Sequence, residues 1–474
     1  MYSLCWTVAG ALLVVVSAAA CDRATDPGAQ VAQVTVSPAR AALIAGDTIH
    51  LAAVALDAGG RTRDSVRVQW EVSDTAVALI DSTGVVFGRR GGGVSVRASA
   101  GQAYGDAALE VRGPPPGWTG FDVVCGIWKD SNAYCWNWPT PDQTPTVTPA
   151  ISGGGTGFIL IAHGDYRWCA LSRDHRAYCW GDNDFGQLGN GTTESSDVPV
   201  PVAGGLTFDS LAMGPLHTCG LTRDGQAYCW GAGAYGQLGV SPAPDTCLYA
   251  MPCAKTPVRV PFDTPFAAVT AGGPKARLGP LASSNEFTCA MTAAGTVYCW
   301  GANSVAELGD GTYSNHARPA PVQTATRFTG VAAGGQHTCA IATDGRLFCW
   351  GMNSNGELGF DTDGWCPNTG DVVYGCATRP GAVLSQERFR AVDAGDMTTC
   401  GITRLGRPFC WGDNWLGEIG AYPQMSANRP MAVPGARTYL TVRVGSTGVC
   451  AQASDGRLDC WGGGRRIPTA IAGP

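Results

Sequence analysis

Cys219-Gly220-Leu221-Thr222-Arg223-Asp224-Gly225-Gln226-Ala227-Tyr228-Cys229-Trp230 decides the fold of this chain. Asp224-Gly225 is a hairpin signal, and a loop of Arg223, Asp224 and Gly225 puts glycine where a left-handed backbone is needed. Thr222 then faces Gln226, and counting outwards sets Cys219 opposite Cys229. Directly opposed residues of an antiparallel pair lie close enough for a disulfide. The same count sets Gly220 opposite Tyr228, so a small residue makes room for a ring. Tyr228 and Trp230 share one sheet face and Leu221 lies with the cysteines on the other. Both faces are apolar, as in a sheet sandwiched between neighbours.

The stretch recurs. Seven cysteine pairs are ten positions apart: Cys125 and Cys135, Cys169 and Cys179, Cys219 and Cys229, Cys289 and Cys299, Cys339 and Cys349, Cys400 and Cys410, and Cys450 and Cys460. A tryptophan follows the second cysteine every time, from Trp136 to Trp461. A glycine loop comes next, as in Gly181-Asp182-Asn183-Asp184-Phe185-Gly186-Gln187-Leu188-Gly189. Tandem units of this kind predict an all-β, seven-bladed β-propeller over 119–474, each blade pinned by its own disulfide. The first unit begins abruptly at Gly120-Phe121, while Ile467 to Ile471 is a strand with no unit after it. The strand 467–471 is therefore expected to close the ring by completing the first blade.

Composition agrees with this architecture. Among 474 residues there are 66 glycines and 30 prolines, and only 15% are charged, which suits short strands and tight turns rather than helices. A net charge of −6 with only three lysines argues against a nucleic-acid partner. There are 20 cysteines and no CxxC pair, which favours disulfides in an oxidising compartment over metal sites. Two further pairs sit in long insertions and are taken as nearest neighbours, Cys247 with Cys253 and Cys366 with Cys376. That leaves Cys5 and Cys21. The apolar run Val8 to Ala20 reads as a signal peptide over 1–20, followed by a linker over 21–30. Ala18-Ala19-Ala20-Cys21 resembles a bacterial lipoprotein cleavage site, which implies a lipid on Cys21; ordinary cleavage after Ala20 is the other reading.

Residues 31–112 alternate short strands with turns and predict a β-sandwich. Val34-Thr35-Val36-Ser37-Pro38, Gly46-Asp47-Thr48 and Trp70-Glu71-Val72-Ser73-Asp74 resemble the group 2 bacterial immunoglobulin-like domain, with Trp70 as its core aromatic. Gly113 to Gly117 lies in a stiff linker over 113–118.

His337-Thr338-Cys339-Ala340-Ile341, Asp344-Gly345, Phe348-Cys349-Trp350-Gly351 and Gly356-Glu357-Leu358-Gly359 resemble the repeat of the regulator of chromosome condensation family. The resemblance implies a seven-bladed propeller. The disulfide-paired form is similar to secreted bacterial members, among them the propeller-type β-lactamase inhibitor proteins. The family includes a nucleotide-exchange factor for a small GTPase, but none of its functional residues can be matched here.

No catalytic constellation, cofactor site or metal site is expected. His217 and His337 stand two positions before a cysteine, where a disulfide removes the thiolate that a metal would need. Asp361-Thr362-Asp363-Gly364 resembles the start of a calcium loop, but Trp365-Cys366-Pro367 does not continue it. Recognition is the better expectation. The loop after each tryptophan carries one variable position, held by Phe185, Tyr235, Val305, Asn355 and Trp415. Phe185, Tyr235 and Trp415 are expected to form an aromatic binding patch, with Tyr249 and Trp365 of the insertions as further contacts. The chain thus reads as a monomeric, exported scaffold, secreted or held in a bacterial envelope. It would bind an extracellular protein or carbohydrate. A secreted enzyme inhibitor is the second reading, and a propeller hydrolase or lyase the third.

Overall fold

The computed structural model describes residues 31–471 apart from 45–47, 65, 90–91, 113–119, 123, 129–130, 137–146, 150–156, 275–284, 363, 367–374, 421–423 and 436. The expected signal peptide, Cys21 and both linkers lie outside the described residues.

Seven antiparallel sheets follow one another along the chain. Blade 1 holds Gly120–Phe121, Cys125–Ile127, Ala133–Trp136 and Val147–Pro149. Blade 2 runs from Phe158–Gly164 to Ser196–Pro201, and blade 3 from Ser210–Met213 to Pro252–Arg259. Blade 4 runs from Phe266–Gly272 to His316–Pro321, and blade 5 from Phe328–Ala333 to Gly375–Ala382. Blades 6 and 7 begin at Phe389–Ala394 and Tyr439–Val444 and end at Ser426–Ala432 and Arg465–Ile471. The first strands converge on an axial channel, where Gly164, Gly214, Gly272, Gly334, Gly395 and Gly445 meet.

The hairpin register is the one that the cysteine spacing requires. Leu221 pairs with Ala227, Gly220 with Tyr228 and Cys219 with Cys229. Thr222 and Gln226 close the turn through an N–H to carbonyl bond of 3.0 Å, and Gly225 takes φ +78°.

Every blade carries its own disulfide between directly opposed residues. In blade 1 Cys125 is bonded to Cys135, with Cα atoms 3.9 Å apart. Cys169 is bonded to Cys179 in blade 2, Cys219 to Cys229 in blade 3 and Cys289 to Cys299 in blade 4, each with Cα atoms 4.1 Å apart. The same 4.1 Å separates Cys339 from Cys349 in blade 5, Cys400 from Cys410 in blade 6 and Cys450 from Cys460 in blade 7. A constant short spacing is what opposition within one antiparallel register demands. These fourteen cysteines are therefore structural, and the thiolates that a metal or nucleophilic site would use are absent from them.

The space beside Gly220 belongs to Phe208, two residues ahead of the blade's first strand: a β-carbon there would stand 2.5 Å from its ring. Phe208 meets the Tyr228 ring edge-on at 6.4 Å, and Phe389 meets Phe409 in the same way at 6.2 Å. Each buried indole beside such a pair removes on the order of 150–250 Å² from water.

Neighbouring blades are latched by hydrogen bonds as well as by burial. Trp230 Nε1 donates to the Gln187 carbonyl at 3.0 Å, and Trp300 to Gln237 at 2.9 Å. Trp350, Trp411 and Trp461 donate in the same way to Glu307, Glu357 and Glu418 at 2.9, 2.8 and 2.8 Å. The glycine loop of one blade is thereby fixed by the tryptophan of the next.

The last strand corrects the expected closure. Arg465–Ile471 pairs with Leu458–Gly462 of its own blade, Leu458 facing Ile471, and blade 1 has its own fourth strand in Val147–Pro149. This proline-bearing strand ends a unit rather than beginning the next, so the ring starts and finishes on whole blades. Side chains close the ring instead: Phe121 and Trp136 of blade 1 pack with Cys450, Leu458, Cys460 and Ile471 of blade 7.

The N-terminal domain is a sandwich around Val34, Leu51, Val86, Val96 and Leu109. Thr48–His50 and Ala52–Leu56 flank Leu51 and belong to different sheets. Trp70 packs against this core but is only half-buried.

Candidate recognition site

The loops after the tryptophans of blades 2, 4, 5 and 6 share one internal frame, and that of blade 3 keeps part of it. Asn183 Oδ1 accepts the Leu188 N–H at 2.9 Å while its Nδ2 donates to the Glu194 carbonyl at 2.9 Å. Asn303, Asn353 and Asn414 accept from Leu308, Leu358 and Ile419 at 3.0 Å each. A buried Gln or Glu later in each loop accepts a backbone N–H from two residues before it. Gln187 serves Phe185 at 2.7 Å and Gln237 serves Tyr235 at 2.9 Å. Glu307, Glu357 and Glu418 do the same at 2.9 Å for Val305, Asn355 and Leu416. Burial pushes all three glutamates up to about 7. The frame is rigid, and only its variable residue is left to differ in exposure.

That exposure divides the expected patch. Phe185 is buried, 7% exposed, and leaves the patch. The disulfide-braced insertion of blade 3 covers it: Leu248, next to Cys247, donates its N–H to the Asp184 carbonyl at 3.4 Å. Val305 of blade 4 is buried in the same way, against Cys366 and Cys376 of the blade 5 insertion. Tyr235 and Asn355 are half-buried. In blade 6 the frame corrects the expected register: the variable position is held by Leu416, 36% exposed, and Trp415 stands one residue before it, in the place of Asp184, 71% exposed beside a downstream blade that has no insertion.

Both insertions add a fifth strand to their blade. Asp245–Thr246 pairs with Pro252–Arg259, and Gly364–Trp365 pairs with Gly375–Ala382. The disulfides Cys247–Cys253 and Cys366–Cys376 are present. They present Tyr249, 55% exposed with a left-handed backbone of φ +58°, and Trp365, 67% exposed on its added strand. Met425, 65% exposed, is a residue that sequence reasoning misses. It joins Trp415 because its carbonyl accepts the Asn414 N–H at 2.7 Å. Its one signal in the sequence is a bulky apolar residue in the loop before the outer strand of blade 6. Trp365, Trp415 and Met425 together concentrate open apolar surface on blades 5 and 6.

The remaining sequence candidates are structural. His217 is buried, with Nδ1 2.7 Å from Glu286 Oε2 and Nε2 2.8 Å from Thr288 Oγ1. His337 Nε2 lies 2.8 Å from Thr399 Oγ1, and burial pushes its imidazole down to about 4. Asp361 accepts from Asn428 at 2.9 Å and pairs with Arg429 at 2.7 Å, which holds its carboxyl below the usual range. Among the described residues, no three His, Cys, Asp or Glu side chains gather as a metal site would require, and no helix is long and apolar enough to cross a membrane.

Fold and loops together define a disulfide-pinned repeat propeller that presents variable side chains from a loop frame repeated in blades 2 to 6. The chain belongs to the family of proteins built from the regulator of chromosome condensation (RCC1) repeat. Two descriptions of that repeat match it, one at 158–187, 208–237, 281–306 and 328–357, the other at 174–221, 224–274, 294–341 and 344–402. Residues 30–111 match the bacterial Ig-like domain (group 2). The structure is similar to that of human WBSCR16, with a TM-score of 0.57, 20% identity, and coverage of 70% of this chain and 84% of that one. It is also similar to yeast RCC1 (Prp20) in a structure with Kap60, with a TM-score of 0.56, 19% identity, and coverage of 75% and 85%. A structure of Prp20p from Saccharomyces cerevisiae, described with its binding properties to Gsp1p and histones, matches with a TM-score of 0.56, 19% identity, and coverage of 72% and 86%. At these identities the likeness is one of fold.

Proposed function

We propose that this chain is a non-enzymatic recognition scaffold that works outside the cytoplasm and captures a protein or carbohydrate partner on the loop face of blades 5 and 6. The exposure of Trp415 and Met425 on a hydrogen-bonded frame carries this reading. Large apolar groups held rigidly in the open are what a binding hot spot needs. The family supports protein binding in general, since its yeast member is described with binding to Gsp1p and histones. Nine disulfides fit an extracellular or secreted setting. A lipid on Cys21 would tether the scaffold to an envelope; the mass of the mature N-terminal peptide tests that part.

The test of recognition is capture from the native extracellular fraction by the full chain and by Trp415→Ser/Met425→Ser. A partner lost by the variant, with melting unchanged, supports the reading. A partner retained in full, or substrate turnover by the purified chain, refutes it.

A further inference from the structure

Beside the Trp415 surface, a groove of about 740 Å³ opens between the blade 5 insertion and the outer strand of blade 6. That size suits a small ligand or a short polymer segment rather than a folded domain. One wall is Trp365, whose strand is pinned to Gly375 and whose carbonyl accepts the Tyr313 hydroxyl at 3.2 Å. The Cys366–Cys376 disulfide anchors this wall at its base. The backbone that carries the indole is therefore pinned, while two-thirds of the residue's surface is open.

The groove's other lining is amide, hydroxyl and one cancelled ion pair. Asn355, Asn428 and Gln424, which bear amides, and Thr362, which bears a hydroxyl, line it. Asp361 and Arg429 face each other there at 2.7 Å, with the Asn428 amide on the second carboxylate oxygen at 2.9 Å. Amides and a paired carboxylate–guanidinium set donors next to acceptors. Vicinal hydroxyls of a sugar ring ask for that alternation, while the ring's C–H face asks for a flat aromatic wall. A protein-binding core would instead be apolar and poor in such groups. A charged ligand would find no excess of either sign.

From this arrangement we infer that the groove binds a neutral oligosaccharide, with one sugar ring stacked on Trp365 and its hydroxyls bonded to Asp361, Asn428 and Arg429. This deepens the recognition reading and rests on it, because it supplies a ligand class for one part of the same face.

Isothermal titration of the full chain with cellohexaose, chitohexaose and maltohexaose tests the inference. At least one should bind. Trp365→Ala should weaken that binding about tenfold, the scale of one aromatic contact. Asp361→Asn and Asn428→Ala should weaken it too, and Tyr104→Ala, which removes an exposed aromatic of the N-terminal domain, should leave it unchanged. All of these side chains are at least partly exposed, and equal melting temperatures would confirm intact folding. Failure of all three sugars, or binding indifferent to Trp365→Ala, overturns the inference. If sugars fail while Trp415-dependent capture persists, the groove reading falls alone; if that capture also fails, the recognition reading falls with it.

Discussion

One loop position is filled by Gln187 and Gln237 in two blades and by Glu307, Glu357 and Glu418 in three others, always accepting the same backbone N–H. A protonated carboxyl is the nearest substitute for an amide, and burial raises these acids from 4.5 to about 7. Their folded-state values lie above the unfolded one, so they favour the folded state fully below pH 4.5, and that contribution is lost as pH rises through 7. His337 runs the other way: its imidazole is lowered from 6.5 to about 4, so its contribution is full above 6.5 and lost on acidification. Burial raises Asp393 from 3.8 to about 6 as well, and four acids against one histidine should leave melting temperature falling between about pH 4.5 and 7. Glu307→Gln should flatten that slope and raise stability at pH 7; a steeper slope would contradict it. The sequence makes the alternation of Gln and Glu plain, because the spacing from each glycine is constant. It does not reveal the burial, which depends on the tryptophan of the following blade.

At the scale of the element, the hairpin is fully legible and the blade boundary is not. Cys219 faces Cys229 because the turn length requires it, so the sequence contains its own ruler. The fourth strand carries no such ruler. Its proline-bearing stretch reads equally well as the end of one unit or the start of the next, and only pairing decides, as Leu458 facing Ile471 does. Removing one blade disulfide as Cys339→Ala/Cys349→Ala should cost about 2–4 kcal/mol in chemical denaturation. Trp350→Phe keeps most of the apolar surface but strips the donor from the Glu307 carbonyl, and should cost about 1–3 kcal/mol in the same assay. Deleting Arg465–Ile471 should expose the Leu458–Gly462 edge and speed amide exchange there and at Trp136, across the seam. Exchange that changes in blade 7 alone would speak against closure by side-chain packing.

Over the whole molecule, seven cysteine pairs announce seven sheets and the apolar faces announce their stacking. The binding surface is harder to foresee. Trp415 and Trp365 stand out as bulky residues in loops, and both are open. Phe185 stands out on the same grounds and is closed, because the segment that covers it, at Leu248, lies far downstream in another repeat. Sequence position within a repeat says where a side chain starts; the neighbouring repeat says whether solvent reaches it.

The covering runs in one direction only: blade 3 shields blade 2, and blade 5 shields blade 4. The ring is thus read in pairs, and the order of its modules is itself information. Exchanging the third and fourth modules, with no change in composition, would unveil Phe185. It would keep Val305 veiled by a different lid and would redraw the surface that a partner meets. Shuffling of repeats, in nature or by design, could generate new binding faces from parts that each remain unaltered.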